Sequence, residues 1–233
     1  MNSLAGDRVG NGSMATASSV NRDFQQILAS PTDTFEEGLR FFRGKGLMNE
    51  SLKRLAEDLD SHGIAYCVIG AVALNQHGYR RFTTDIDVLM TPEGLAQFTA
   101  ELVGRGYRPA FAGARKKFRS TAENVPIEII VAGEYPGDGK PKPIVFPDPA
   151  EASTLINDVK TITLEKLIEL KLASGLSGAD RLKDLADVQE LIRTLSLNAS
   201  IAGKLDPSVQ SKYIELYDQI EAGKRQEEQP NRD

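Results

Sequence analysis

Two aspartates stand two residues apart in Thr84-Asp85-Ile86-Asp87-Val88, and a glutamate, Glu128, interrupts the apolar run Ile127-Glu128-Ile129-Ile130-Val131. On a strand, residues i and i+2 share a face, so the two aspartates project together while Ile86 and Val88 turn to the core. Carboxylates held that close raise at least one pKa unless a cation settles between them. Mg²⁺, a hard ion that takes oxygen ligands, is the matching partner. Asp is a poor strand former, and an acid inside an otherwise continuous apolar strand needs a partner of its own. The plainer alternative is a solvent-facing strand side on which Asp is tolerated.

Other polar and small residues bracket these acids. The run Tyr66-Cys67-Val68-Ile69 ends in Gly70-Ala71 and passes into a helical pattern. Small residues at such a turn let the backbone approach an anion, which the helix N-terminus also favours, although glycine ends many strands for steric reasons alone. On a helix beginning at Leu164, positions 164, 167, 168 and 171 form one stripe with Lys171 in its middle. A lysine there either snorkels to water or points at buried anions. Arg80 and Arg81 precede the acidic strand, as a solvated pair or, for Arg81 above all, as an anion contact. Lys183 and Asp187, four apart on a helix, fit a surface ion pair, while Asp184 is a candidate to hold Lys171 or Arg81. Arg115-Lys116-Lys117 and Arg119 read as a charged strand edge or as a docking surface for RNA or another polyanion. His62 and His77 read as structural, and Cys67 as a core residue.

The elements that must position these groups follow from periodicity. Short helices are predicted over 24–28 and 34–43, and a stronger one over 49–62, where Leu52, Leu55, Ala56 and Leu59 recur at helical spacing. A buried strand over 65–69 leads into a helix start at 71–76, and a second strand covers 84–90. A helix over 92–105 opens on Pro92, and strands at 107–111, 117–121 and 126–131 follow in meander order. Residues 132–150 hold five of the eleven prolines, an irregular connection of the kind that is functional or a hinge. After it the pattern is helical, over 164–173, 180–195 and 207–222. The expected fold class is α/β: a mixed sheet of four or five strands with flanking helices, and a C-terminal helical subdomain. The expected division is a disordered arm at 1–22, an α/β domain with N-terminal helices at 23–150, the helical subdomain at 151–222 and a frayed charged tail at 223–233.

Composition narrows the function. The chain has 233 residues, 40% hydrophobic and 26% charged, with a net charge of −5, values of a soluble globular protein. No apolar run is long enough to span a bilayer, and residues 1–13 lack the apolar stretch of a signal peptide, so a cytoplasmic location and no membrane partner are expected. One cysteine rules out a disulfide framework, and two histidines rule out a His-rich metal site. The negative total argues against a broadly basic surface that coats nucleic acid.

The stretch VIGAVALNQHGYRRFTTDIDVLM, with IEIIV downstream, resembles the DNA polymerase β-like nucleotidyltransferase superfamily. Its signature is hydrophobic-Gly-[Gly/Ser], then Asp-x-[Asp/Glu] between hydrophobics, with a third acid on a later strand. Here Gly70-Ala71 precedes Asp85-Ile86-Asp87 by thirteen residues, Val72–Thr84, and Glu128 takes the third position. Stand-alone bacterial members related to AbiEii-type toxins are the most similar in pattern. Their His and Arg-x-Thr correspond to His77 and Arg81-Phe82-Thr83, and their C-terminal Lys and Lys-Asp-x-x-Asp to Lys171 and Lys183-Asp184-Leu185-Ala186-Asp187. Ala71 departs from the pattern, which often has Ser or Gly there, so no hydroxyl is available to contact a phosphate.

The resemblance implies a nucleotidyltransferase-type sheet and an enzyme that moves a nucleoside monophosphate from an NTP to an acceptor hydroxyl. The acceptor would be an RNA end such as tRNA, a protein or a small molecule. It implies two Mg²⁺ ions held by Asp85, Asp87 and Glu128. Gly70 and Ala71 would lie at the phosphates, and Lys171 and Arg81 would neutralise charge there, with Asp184 beside them. On this reading Lys171→Met keeps the fold and weakens NTP binding. A toxin with a cognate antitoxin is one version; a non-catalytic nucleotide-binding module, or an antitoxin-like interaction protein that retains the fold, is the alternative.

Overall fold

Alternating burial along the strands divides the core into two layers, one on each side of a single sheet. The computed structural model describes residues 23–227; the arm expected at 1–22 and residues 228–233 lie outside them. The chain begins with helices α1 (Phe24–Leu28), α2 (Pro31–Phe42) and α3 (Leu47–Ser61). Strand β1 (Tyr66–Val68), helix α4 (Gly70–Gln76), strand β2 (Ile86–Met90) and helix α5 (Pro92–Glu101) follow. Then come β3 (Tyr107–Pro109), β4 (Lys117–Ser120) and β5 (Pro126–Val131), the expected meander. The proline-rich connection is irregular until helix α6 (Pro149–Ala152), beyond which lie β6 (Ser153–Ile156), β7 (Val159–Ile162), α7 (Leu164–Gly175), α8 (Leu182–Thr194) and α9 (Pro207–Glu227). Local chemistry sets several starts: Thr91 accepts from the Gly94 N–H at 3.0 Å with Pro92 in the first turn of α5, and Ser30 with Pro31 does the same for α2.

The sheet is mixed α/β in character and has seven strands, in the order β3-β4-β5-β2-β1-β7-β6, rather than four or five. The two additional strands lie inside the 151–222 segment read as helical. They form a hairpin whose turn residues, Asn157 and Asp158, both have positive φ (50° and 63°), as a type I′ turn requires. Each strand is only four residues long, and Leu155 points to solvent, so the period-2 signal is faint. β7 pairs in parallel with β1 at Thr161↔Val68, so the segment after residue 150 completes the sheet of the segment before it.

Two other expectations change. β4 is interior, paired with β3 on one side and β5 on the other, so the basic run 115–119 is not a strand edge. Three of its four charges are engaged locally: Lys117 with Glu128, Lys116 with Glu134, and Arg119 with the Asn124 carbonyl. The segment 223–227, expected to fray, continues α9. Lys224 pairs with Glu221 at 2.7 Å and the Arg225 Nε–H donates to the Glu221 carbonyl at 3.1 Å, and these one-turn contacts carry the helix past its last apolar anchor, Ile220.

One core layer joins Tyr66, Val68, Ile86, Val88, Ile127 and Ile129 to α3 and α5; the other joins Cys67, Leu89 and Ile162 to α7, α8 and α9. Burial pushes the Cys67 thiol up to about 12, as befits an inert core residue. His77 is structural, bonded to the Ile162 carbonyl at 2.7 Å, and His62 to the Asp58 carbonyl at 2.7 Å. Among the described residues no helix is long and apolar enough to cross a membrane. Because β1 relies on β7, a chain ended after Ala150 is expected to show no cooperative thermal transition by circular dichroism, whereas residues 23–233 keep one.

Candidate active site

Strands β2 and β5 run parallel, and their register places Asp87 directly opposite Glu128. Ile86 and Val88 are fully buried on the other face, so strand alternation delivers both acids to the layer covered by α7 and α8. Asp85 enters one residue before β2, where its carboxylate accepts the Thr83 hydroxyl at 2.7 Å. Asp87 and Glu128 line a cleft of about 240 Å³ together with Gly70, Lys171, Ser174, Arg181 and Asp184, and its apolar walls include Ile69, Phe146 and Leu167. Burial, then the charges of Asp85 and Glu128, push the Asp87 carboxyl up to about 7. Burial dominates this shift, and the two neighbouring acids add more than Lys171 and Arg81 take away.

Gly70 is needed where it stands. Its φ is +64°, and a Cβ there would lie 2.0 Å from the Asp87 Oδ2. The room left by the absent side chain is taken by the Asp87 carboxylate, while the backbone carbonyl of Asp87 accepts from the Ile69 N–H at 3.0 Å. Ala71 is buried and does not line the cleft. The departure from Ser or Gly at this position therefore sits in packing rather than on the cleft wall.

The cations are tied to a second pair of acids. The Lys171 ammonium, 11% exposed, lies 2.8 Å from Asp184 and 2.7 Å from Asp187, which rules out snorkelling. Arg81 donates to both Asp187 oxygens at 2.7 and 2.6 Å. Asn75 fixes the Arg81 backbone from both sides, donating to its carbonyl at 2.5 Å and accepting from its N–H at 2.9 Å. Burial works to raise the Asp184 carboxyl, but Lys171 and the Ser174 hydroxyl, at 2.6 Å, hold it below its usual value. The expected surface pair of Lys183 with Asp187 does not form: Lys183 is exposed, and Asp187 turns inward. The i,i+4 spacing misled because Asp184, Asp187, Val188 and Leu191 share one helical stripe, which faces α7. That stripe was the signal available for Asp187. Ser174, Asn75 and Arg181 carried no comparable signal.

Arg181 differs from the other cations. It lines the cleft half-exposed, donating to the Gly137 carbonyl at 3.2 Å, with its Nε 3.7 Å from exposed Asp180. Most of its five N–H donors remain available.

The donors suit a hard divalent cation in type: Asp87 and Glu128 stand opposite each other on neighbouring strands beside the cleft, with Asp85 two residues before Asp87 and outside the cleft lining. Among the described residues no three His, Cys, Asp or Glu side chains close into a finished metal cage. Glu128 is instead engaged by Lys117 at 3.2 Å, and Asp85 by Thr83. An ion entering here would take over the bonds that exposed Lys117 and buried Thr83 now make.

No protein-family model matches the sequence, and no curated protein does. Among solved structures, the chain is similar to the antibiotic-resistance factor ANT(2'')-Ia in solution, with 15% identity, a TM-score of 0.45, and coverage of 74% of this chain and 96% of that one. A crystal structure of ANT(2'')-Ia in complex with adenylyl-2''-tobramycin matches at 14% identity and a TM-score of 0.41, covering 68% and 92%. An antigenic nucleotidyltransferase-like protein from Paracoccidioides brasiliensis matches at 17% identity and a TM-score of 0.41, covering 61% and 73%.

Two outcomes are expected. The folded state holds a proton on Asp87 between the ordinary carboxylate range and about pH 7, so this group costs stability progressively as pH rises through that window, at about 1.4 kcal/mol per pKa unit. With a chelator present, Asp87→Asn should unfold at higher temperature than the parent at pH 8, and the difference should shrink towards pH 5. Lys171→Met, expected from the sequence to keep the fold, should instead lose about 2–3 kcal/mol in denaturant titrations, because it strips a cation from nearly buried Asp187.

Proposed function

We propose that this chain transfers a nucleoside monophosphate from an NTP to an acceptor hydroxyl: the new ester bond forms at the α-phosphorus, the bond to the β-phosphate bridge breaks, and pyrophosphate leaves. The observation that carries this reading is the register of Asp87 opposite Glu128, with Asp85 two residues before Asp87, on the sheet face that borders the cleft. Those three carboxylates would hold Mg²⁺, which supplies charge neutralisation at the phosphates and a more acidic acceptor hydroxyl.

The chain's own residues do the rest. Asp87 is kept in place by the strand and by Gly70, so the acidic face is formed before substrate arrives. Ile69, Phe146, Leu167 and Leu170 form the apolar part of the cleft wall. Arg181, with spare donors, is the side chain that meets the triphosphate. Lys171 and Arg81 hold α8 against the site through Asp184 and Asp187, and their charge offsets part of the acidic field on Asp87. Use of an NTP as substrate fits the cytoplasmic location expected from the sequence. An RNA end or a protein as acceptor would suit a toxin opposed by an antitoxin, whereas a small-molecule acceptor needs no such partner.

Each NTP, labelled at the α-phosphate, incubated with Mg²⁺ and in turn with total RNA, total protein and hydroxylated small molecules tests the reading. Label transfer with pyrophosphate release is expected, falling by at least about a thousandfold in Asp87→Asn; binding without pyrophosphate release would instead make this a nucleotide-binding module. Arg181→Gln should weaken NTP binding about tenfold, roughly one charge-assisted hydrogen bond, with the unfolding midpoint unchanged.

A further inference from the structure

Helix α2 presents an apolar face to solvent. Phe35 is 68% exposed, Leu39 44% and Phe42 37%. At 100° per residue these positions fall within an arc of about 60°, while Glu37 and Phe41 turn inward. The other exposed large hydrophobics among the described residues, such as Phe111, Leu155 and Leu182, lie on separate elements. At Phe42 the stripe borders a hollow of about 220 Å³ with a mixed lining, Phe41, Leu52 and Val72 beside Asn49, Asn75, Gln76 and Arg80. A contiguous apolar patch of this kind marks an interaction surface.

The charges beside the stripe select its occupant. Glu36, Arg40 and Arg43 follow one another along one flank of α2, and Glu36 lies 3.7 Å from Arg40. The other flank carries Pro31 and Gly38, without charge. When two copies of the helix pack antiparallel about a two-fold axis, like flanks meet: Glu36 of each copy faces Arg43 of the other, and the stripes cross at Leu39. In a parallel pair the charged flank would meet the uncharged one, and both ion pairs would be lost.

We infer that α2 is the centre of an isologous, antiparallel contact between two copies of this chain. A standard interface buries about 800 Å² per partner, more than three side chains supply, so the hollow beside Phe42 belongs to the contact and the dimer depends on concentration. The inner side of the same helix packs on the loop that delivers Arg81, Thr83 and Asp85: Phe41 meets Phe82 edge-on at 5.5 Å. The contact thus braces the helix that backs the acidic loop.

Sedimentation equilibrium of the full chain over a concentration series tests this. The mass should rise from one chain to two. Leu39→Glu should remain monomeric throughout and melt where the dilute, monomeric parent melts, because its side chain is exposed. Glu36→Arg and Arg43→Glu should each weaken the dimer about tenfold, and the double exchange should restore it. A parent that stays monomeric, a dimer that survives Leu39→Glu, or a double exchange that fails to restore pairing overturns the proposal. So does a chain lacking residues 1–22 that dimerises where the full chain does not, since the arm would then be the occupant.

Discussion

A carboxylate on the apolar face of a sheet must give up its charge or acquire a cation, and Asp87 is that carboxylate. Its place is set by covalent alternation along β2 and by the parallel register with β5, which no side-chain adjustment can undo without turning Ile86 and Val88 out of the core. Burial and two neighbouring acids then raise its pKa to about 7. Gly70 follows from the same constraint, because any side chain at that turn would occupy the space of the Asp87 oxygen. The acidic site is thus a strained consequence of the sheet, stabilised only in part by the residues around it.

The rest of the C-terminal half supplies that partial stabilisation. Lys171 on α7 and Arg81 from the loop before β2 converge on Asp187 of α8, with Asp184 and Ser174 closing the group. Four side chains of opposite sign cancel locally, so the network fixes the position of the helices more than it neutralises the acids on the sheet. Removing one partner would leave another buried and uncompensated, the circumstance in which such pairs matter most. Arg181 is the cleft cation with the fewest acidic contacts, and Lys117 marks where positive charge already sits against Glu128.

What could be read from the sequence follows from the strength of each local signal. The acids were legible because Asp85, Asp87 and Glu128 contradict the strand propensity around them, and the helices with clear apolar stripes lie close to their predicted bounds. The hairpin β6–β7 was not legible: two four-residue strands with Leu155 facing water give no period, and only Asn157-Asp158 hints at the turn. Asp187 was misassigned because i,i+4 spacing describes its neighbour on its own helix, whereas its partners come from 106 residues away in the case of Arg81. Within the described residues, 223–227 of the expected tail continue α9 because local ion pairs, rather than burial, extend the helix.

The most direct test of the central claim is an anomalous difference map from crystals grown with Mn²⁺ and a non-hydrolysable NTP. The account predicts a metal peak coordinated by Asp87 and Glu128, with Asp85 at its edge and the triphosphate reaching Arg181. A nucleotide bound elsewhere, or Mn²⁺ absent from these three carboxylates at saturating concentration, would contradict it.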